Sequence, residues 1–153
     1  MPQKSTGPIE KAILQPADGG SVIEFQFNPT ELVFNQSVNL SYQEGARTQK
    51  GLPKVSFAYP EPATLTLSNV LFDTYKENES VMKYINTLKK SVAFTTALQR
   101  PPIYTFVWGK QMYLRCMVAS LSYRLTLFSS AGEPLQARVD MTLKEVDEAL
   151  AVI

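Results

Sequence analysis

The sequence contains no histidine, which removes the commonest general base in enzymes and the commonest zinc ligand. The absence also excludes every nucleophile that a neighbouring histidine activates. There is no glycine-rich nucleotide-binding motif and no cluster of metal ligands, the closest acidic grouping being Glu145, Asp147 and Glu148 near a predicted strand end. These absences leave carboxylate and lysine chemistry open, but we expect no metal and no cofactor.

Cysteine and long hydrophobic runs are also scarce. The single cysteine, Cys116, leaves no partner for an intrachain disulfide. No apolar run reaches about 18 residues, so no transmembrane helix is expected. The charged opening of residues 1–15 differs from a secretory signal. A net charge of +1 provides no electrostatic footprint for nucleic acid or an anionic membrane, and neither is expected as a partner.

Alternating apolar and polar residues are abundant, most clearly between Met112 and Glu145. This stretch is typical of two long β-arms joined by a turn at residues 129–134, where Gly132 can adopt a positive φ. The apolar residues of the first arm occupy even positions up to Cys116 and odd positions after it. Because a slip of one residue moves every side chain to the other face, the pattern predicts a β-bulge or a change of sheet near Cys116.

Two interpretations of the first arm are open. At ~3.3 Å per residue it would span about 50 Å, more than an ordinary strand. A bent strand that crosses between two sheets of a small sandwich accounts for this length. The residues alone favour this bent strand over the alternative, an arm that reaches a neighbouring subunit.

The rest of the sequence predicts further strands and one helix. The strands are expected at residues 11–14, 21–27, 33–42, 55–59, 63–71 and 103–108. The helix is indicated by Val81, Ile85 and Leu88, which recur at helical spacing. Residues 44–54 are polar and rich in glycine, which predicts a long surface loop.

The length of 153 residues is typical of one domain. We assign residues 11–147 to a β domain, residues 1–10 to a flexible N-terminal segment, and residues 148–153 to a C-terminal tail.

A set of short motifs resembles a known family. Residues 25–31, Phe-Gln-Phe-Asn-Pro-Thr-Glu, are similar to the opening F-x-F-N-P block of the tube and LysM-adaptor family of contractile injection systems, which are phage-tail-like particles. The later residues that agree in order and spacing are Arg100-Pro101-Pro102, Phe106-Val107-Trp108-Gly109, Tyr123, Phe128, Gly132, Pro134, Ala137, Val139, Leu143 and Glu145. The resemblance covers residues 11–147.

The resemblance implies a mainly β fold similar to phage tail-tube proteins, a β-barrel or sandwich flanked by a single α-helix. It implies a structural subunit of a hexameric ring that links the inner tube to the spike and baseplate hub and carries no catalytic residues. It also implies assembly in the bacterial cytoplasm and then a place within the particle. Adaptor relatives often carry a C-terminal LysM module, for which 148–153 has no room, so we expect a short form, a tube initiator, or a partner that supplies that contact.

On this interpretation the candidate interface lies in the predicted loop and on the arms. Its residues are Arg47, Lys50, Leu52, Arg124, Phe128, Pro134 and Arg138. The polar face of the arms suits an aqueous lumen or a seam between subunits.

Two alternatives stand beside the ring subunit. A monomeric β-sandwich that binds carbohydrate requires Tyr104, Phe106 and Trp108 to form an exposed platform. A hydrolase that uses paired carboxylates is the third.

Overall fold

The computed structural model describes residues 8–147 of the chain. The predicted tail, 148–153, and most of the predicted N-terminal segment, 1–10, lie outside the described residues. Residues 8–147 form nine β-strands and one α-helix: β1 (Ala12–Pro16), β2 (Ile23–Glu24), β3 (Val33–Asn35), β4 (Val38–Arg47), β5 (Pro53–Pro60), β6 (Thr64–Asp73), α1 (Met82–Lys90), β7 (Tyr104–Trp108), β8 (Gln111–Phe128) and β9 (Pro134–Glu145).

Seven strands form one antiparallel sheet with the order β2-β1-β7-β8-β9-β6-β3, and β4 and β5 form a separate two-stranded hairpin. The mainly β fold with a single helix is confirmed. One face of the large sheet builds the core, as β9 illustrates: its odd-numbered residues from 135 to 143 are buried, and the even-numbered residues between them are half-buried. The alternation in the sequence therefore reports which side of the sheet faces the core.

The large sheet is open, which corrects the predicted barrel. Its edge strands, β2 and β3, contain two and three residues, and within residues 8–147 no backbone ladder joins them. Strands this short cannot form the continuous ladder that closes a barrel. The two ends of the sheet approach each other through side chains instead: Phe25, just after β2, packs against Phe72 of β6 with ring centroids 6.4 Å apart.

The helix α1 covers the core side of the sheet. Val81, Ile85 and Leu88 are fully buried, as their spacing predicts. The Ser80 hydroxyl accepts a hydrogen bond of 3.2 Å from the backbone N–H of Met82 and so satisfies one free donor at the start of the helix. Lys89 and Lys90 lie in the last turn, where the helix dipole favours positive charge.

The long strand β8 changes neighbours along its length. Its first part pairs with β7 and its second part with β9, and Cys116 pairs with a residue of each strand. The predicted bulge is present, but it lies between Val118 and Ser120 rather than at Cys116, because Val118 still faces the core. The prediction that the strand leaves the core sheet at Cys116 is wrong, since β8 stays in the seven-stranded sheet throughout.

The predicted loop over residues 44–54 is mostly strand. β4 continues to Arg47 and β5 begins at Pro53, so the connection is only residues 48–52. Gly45, with φ +78°, lies in an irregular stretch of pairing between Tyr42 and Arg47. Glycine can mark a β-bulge as well as a loop, and here it marks a bulge inside a strand.

Candidate subunit interface

The segment after β2 that carries the F-x-F-N-P pattern holds the ends of the sheet together. Phe25 is fully buried and contacts Phe106 of β7 edge-on, with centroids 6.2 Å apart, as well as Phe72 of β6. Pairs of aromatic rings at this separation add to the stability that burial alone provides. The first phenylalanine of the motif is therefore a core residue.

The two amide side chains of the same segment act in place of a strand. Gln26 donates from Nε2 to the backbone carbonyl of Asp73 over 2.7 Å, and its Oε1 accepts from the backbone N–H of Asp73 over 2.8 Å. Asn28 likewise accepts from the N–H of Ala12 and donates to the carbonyl of Glu10, both over 2.8 Å. Residues 26–28 thus bridge β6 to the edge of β1 without backbone pairing. The motif that carries the family resemblance serves the fold.

The β4–β5 hairpin presents an apolar face to solvent. Leu40 lies directly opposite Phe57 and Tyr42 lies directly opposite Val55, so all four side chains share one face. Tyr42 is 65% exposed and Phe57 is 63% exposed, and every residue of β5 is exposed. In the described part of the chain, neither strand pairs with any strand other than its hairpin partner.

This arrangement is unfavourable for an isolated subunit. An isolated two-stranded hairpin is marginally stable in water, and it needs a third strand or a packing partner to bury its apolar face. Its unpaired outer edges also offer free N–H and C=O groups to another chain. Sequence analysis did not predict these four residues as interface residues, because apolar and polar residues alternate in the same way whether a strand packs on its own core or on a partner.

Three of the predicted interface residues lie at the hairpin tip. Arg47 ends β4, and Lys50 and Leu52 belong to the connection, where Leu52 is 61% exposed. The turn is held by a hydrogen bond of 2.8 Å from the N–H of Thr48 to the carbonyl of Leu52 and one of 2.9 Å from the N–H of Gly51 to the carbonyl of Thr48. The tip is therefore an ordered turn that carries cations.

The other four predicted residues lie on the β8–β9 hairpin. Arg124 is directly opposite Arg138, and Phe128 is directly opposite Pro134. Like charges in opposite positions repel, and the Asp140 carboxylate, 3.8 Å from the Arg124 guanidinium, offsets part of that repulsion. Arg124 also donates a hydrogen bond of 3.3 Å to the side chain of Asn69 in β6.

Phe128 and Pro134 differ in what they can offer a partner. Phe128 is 57% exposed, whereas Pro134 is half-buried and its carbonyl accepts a 2.9 Å hydrogen bond from the N–H of Val81, at the start of the helix. The seven predicted residues thus fall into two groups, one on each hairpin. Their role in subunit contacts stays a prediction.

Within the described residues, the buried ionisable side chains of Cys116 and Tyr104 stay in their neutral forms. Among residues 8–147, no three histidine, cysteine, aspartate or glutamate side chains lie close enough to hold a metal ion. Burial raises the pKa of the Cys116 thiol to about 12, which keeps it protonated and unreactive at neutral pH. Burial also raises the pKa of Tyr104, so its hydroxyl stays neutral. No helix within the described residues is long and apolar enough to cross a membrane.

The aromatic platform that carbohydrate binding requires is not formed. Tyr104 and Phe106 are buried in the core. Trp108 is half-buried against the core, and its indole N–H donates to the carbonyl of Glu10 over 3.2 Å. Two of the three rings are buried and the third is half-buried, which counts against the carbohydrate-binding alternative.

Comparison with known protein families identifies a family for this chain. The family model described as contractile injection system tube protein matches residues 10–151, nearly the whole chain. No curated protein matches the chain.

Proposed function

The chain belongs to the contractile injection system tube protein family, and we propose that it is a ring subunit that links the inner tube of such a particle to the spike and baseplate hub. The family is structural and is not a class of enzymes. In this proposal the chain assembles with itself and with tube and hub proteins. It is made in the bacterial cytoplasm and then becomes part of the particle.

The observation that carries the proposal is the unpartnered apolar face of the β4–β5 hairpin, formed by Leu40, Tyr42, Val55 and Phe57. Burying apolar surface contributes about 25 cal/mol per Å² removed from water, so covering this face favours association. The free edges of the hairpin allow a neighbouring chain to add a strand, which removes edges that would otherwise aggregate. Assembly would therefore bury the apolar face of the hairpin and pair its free edges.

We propose a closed ring of six copies. A hairpin that contacts a different surface of the next copy makes a head-to-tail interface, and such an interface closes when the rotation per subunit divides the circle. The charged tip and the β8–β9 residues Arg124, Phe128 and Arg138 are then the proposed contacts to neighbouring copies or layers. The polar outer face of β8 and β9 suits an aqueous lumen or a subunit seam.

The test compares substitutions on opposite faces of β5. Phe57→Lys places a charge in the apolar face, whereas Ser56→Lys places the same charge on the opposite face one residue away. Native mass spectrometry, with tube and hub proteins added, should show rings for the original chain and for Ser56→Lys and only monomers for Phe57→Lys. Rings that form equally well with Phe57→Lys would show that the apolar face of the hairpin is not a subunit contact.

A further inference from the structure

A groove lined by carboxylates lies at the base of the β4–β5 hairpin. A pocket of about 350 Å³ is lined by Pro60, Glu61, Pro62, Glu145, Val146 and Asp147. An adjoining pocket of about 440 Å³ shares Glu61 and Glu145 and extends along Val38. Neither lining contains a lysine or arginine, so we define this feature as the acidic groove.

Two of the carboxylates in the acidic groove are held in place. Glu61 Oε1 accepts a hydrogen bond of 3.0 Å from the side chain of Asn39, and Glu145 Oε1 accepts one of 3.1 Å from the backbone N–H of Ala63. Neither carboxylate forms an ion pair within residues 8–147. Proline and valine side chains provide apolar walls beside these charges.

The tip at the other end of the same hairpin has the complementary composition. Arg47, Lys50 and Lys54 flank Leu52 in the sequence, and the side chain of Leu52 is exposed. None of the three cations forms an ion pair within the described residues. We define these four residues as the basic tip: an apolar side chain among cations, a composition that complements the apolar walls and carboxylates of the acidic groove.

The basic tip cannot reach the acidic groove of its own chain. The ten residues of β4 separate them, which at ~3.3 Å per residue is about 30 Å. Two complementary surfaces at opposite ends of one paired hairpin can meet only between copies. Such a contact is head-to-tail, the type that builds rings and stacks.

We propose that the basic tip of one copy docks in the acidic groove of a second copy. Leu52 lies against the proline and valine walls, and Arg47 and Lys50 face Glu61 and the neighbouring carboxylates. The inference rests on the proposed ring function and names the surface that each copy offers to the next. Complementary charge at such a seam fixes the register of the subunits and excludes wrong partners.

Charge reversal tests the docking with internal controls. Arg47→Glu/Lys50→Glu makes the tip acidic, and Glu61→Lys/Asp147→Lys makes the groove basic. A third protein combines all four substitutions. Assembly of each is followed by sedimentation velocity at about 0.15 M salt, where charges closer than about 8 Å still interact. If the groove double variant fails to fold by circular dichroism, the tip double variant alone decides the test.

We expect each double variant to self-associate at least about tenfold more weakly than the original chain. An equimolar mixture of the two should recover assembly, because the acidic tip of one variant then meets the basic groove of the other, and the original basic tip meets the original acidic groove. The combined variant should assemble with itself and exclude the original chain. A tip variant that assembles as tightly as the original, or a mixture no better than its components, overturns the docking.

The outcomes for the original chain separate this inference from the proposed function. Rings of the original chain that persist unchanged in both double variants overturn the tip-to-groove contact and leave the ring function standing. A chain that stays monomeric even with tube and hub proteins overturns both.

Discussion

The side-chain amide of Gln26 forms two hydrogen bonds with the backbone of Asp73, 47 residues away in sequence. This pair connects the segment after β2, at one end of the open sheet, with the end of β6, near the other. The amide supplies one donor and one acceptor, as a residue of a paired strand does. A single side chain therefore supplies two of the hydrogen bonds that a closing strand would supply in a barrel.

Replacing Gln26 tests this bridge. Gln26→Ala leaves the N–H and C=O of Asp73 without their partners, and we expect a loss of about 1–3 kcal/mol in the free energy of unfolding, measured with urea. Gln26→Glu keeps the acceptor and loses the donor, so it should also destabilise. Gln43→Ala, at an exposed position of β4, is the control and should change stability by less than about 0.5 kcal/mol. Equal stability of Gln26→Ala and the control would show that the bridge is dispensable.

The turn between β8 and β9 should not tolerate a β-branched residue at Gly132. Its φ is +83°, in the left-handed region, while a Cβ added there would meet no atom within 4 Å. Any cost of Gly132→Val is therefore backbone strain, about 1–2 kcal/mol. Gly132→Asn should cost less, because asparagine enters this region more readily. Thermal unfolding measures both variants, and valine and asparagine of equal stability would contradict the strain argument.

The Asp18–Arg100 ion pair should make stability depend on pH in the acid range. Two hydrogen bonds from the Arg100 guanidinium, of 2.8 and 2.9 Å, hold the pKa of Asp18 at about 2, below its usual 3.8. A pKa that is lower in the folded state stabilises the fold above pH 4, and the contribution disappears as the pH falls towards 2. We expect the original chain to lose about 1–2 kcal/mol more than Asp18→Asn over this interval. Unfolding curves that shift in parallel for the two proteins would show that Asp18 does not titrate as described.

The thiol of Cys116 should react only in the unfolded chain. It is fully buried, and its pKa of about 12 leaves almost no thiolate at pH 8. A disulfide reagent should therefore label the native protein at the rate of unfolding, and labelling should become fast in denaturant. Immediate labelling of the native protein would show that the sheet opens at Cys116.

Local periodicity predicted the elements whose partners lie within the chain. The β8–β9 arms and the helix were predicted because each has a core-facing set of residues at a fixed spacing, such as Val81, Ile85 and Leu88. The predicted position of the bulge differs from the observed one by about three residues, because Met117 and Val118 are both apolar and the pattern does not show which of them faces the core. Burial decides between them, and it depends on the rest of the sheet.

Two features depend on contacts that no local pattern contains. The contact between the ends of the open sheet depends on the amide side chains of Gln26 and Asn28, which form hydrogen bonds to strands distant in sequence. The exposed hairpin face depends on the absence of a third strand within the described residues, and Leu40 and Tyr42 alternate with polar neighbours as core residues do. The loop predicted around Gly45 was wrong because glycine is favoured both in loops and in β-bulges, and the sequence does not distinguish the two.

Electron microscopy of the purified chain mixed with the tube and hub proteins of its particle tests the central claim most directly. The account predicts closed rings with six subunits, located between the inner tube and the spike, in which the β4–β5 hairpin of each subunit is covered by a neighbour. Particles in which the chain remains monomeric, or in which the apolar face of Leu40, Tyr42, Val55 and Phe57 stays open to solvent, would contradict it.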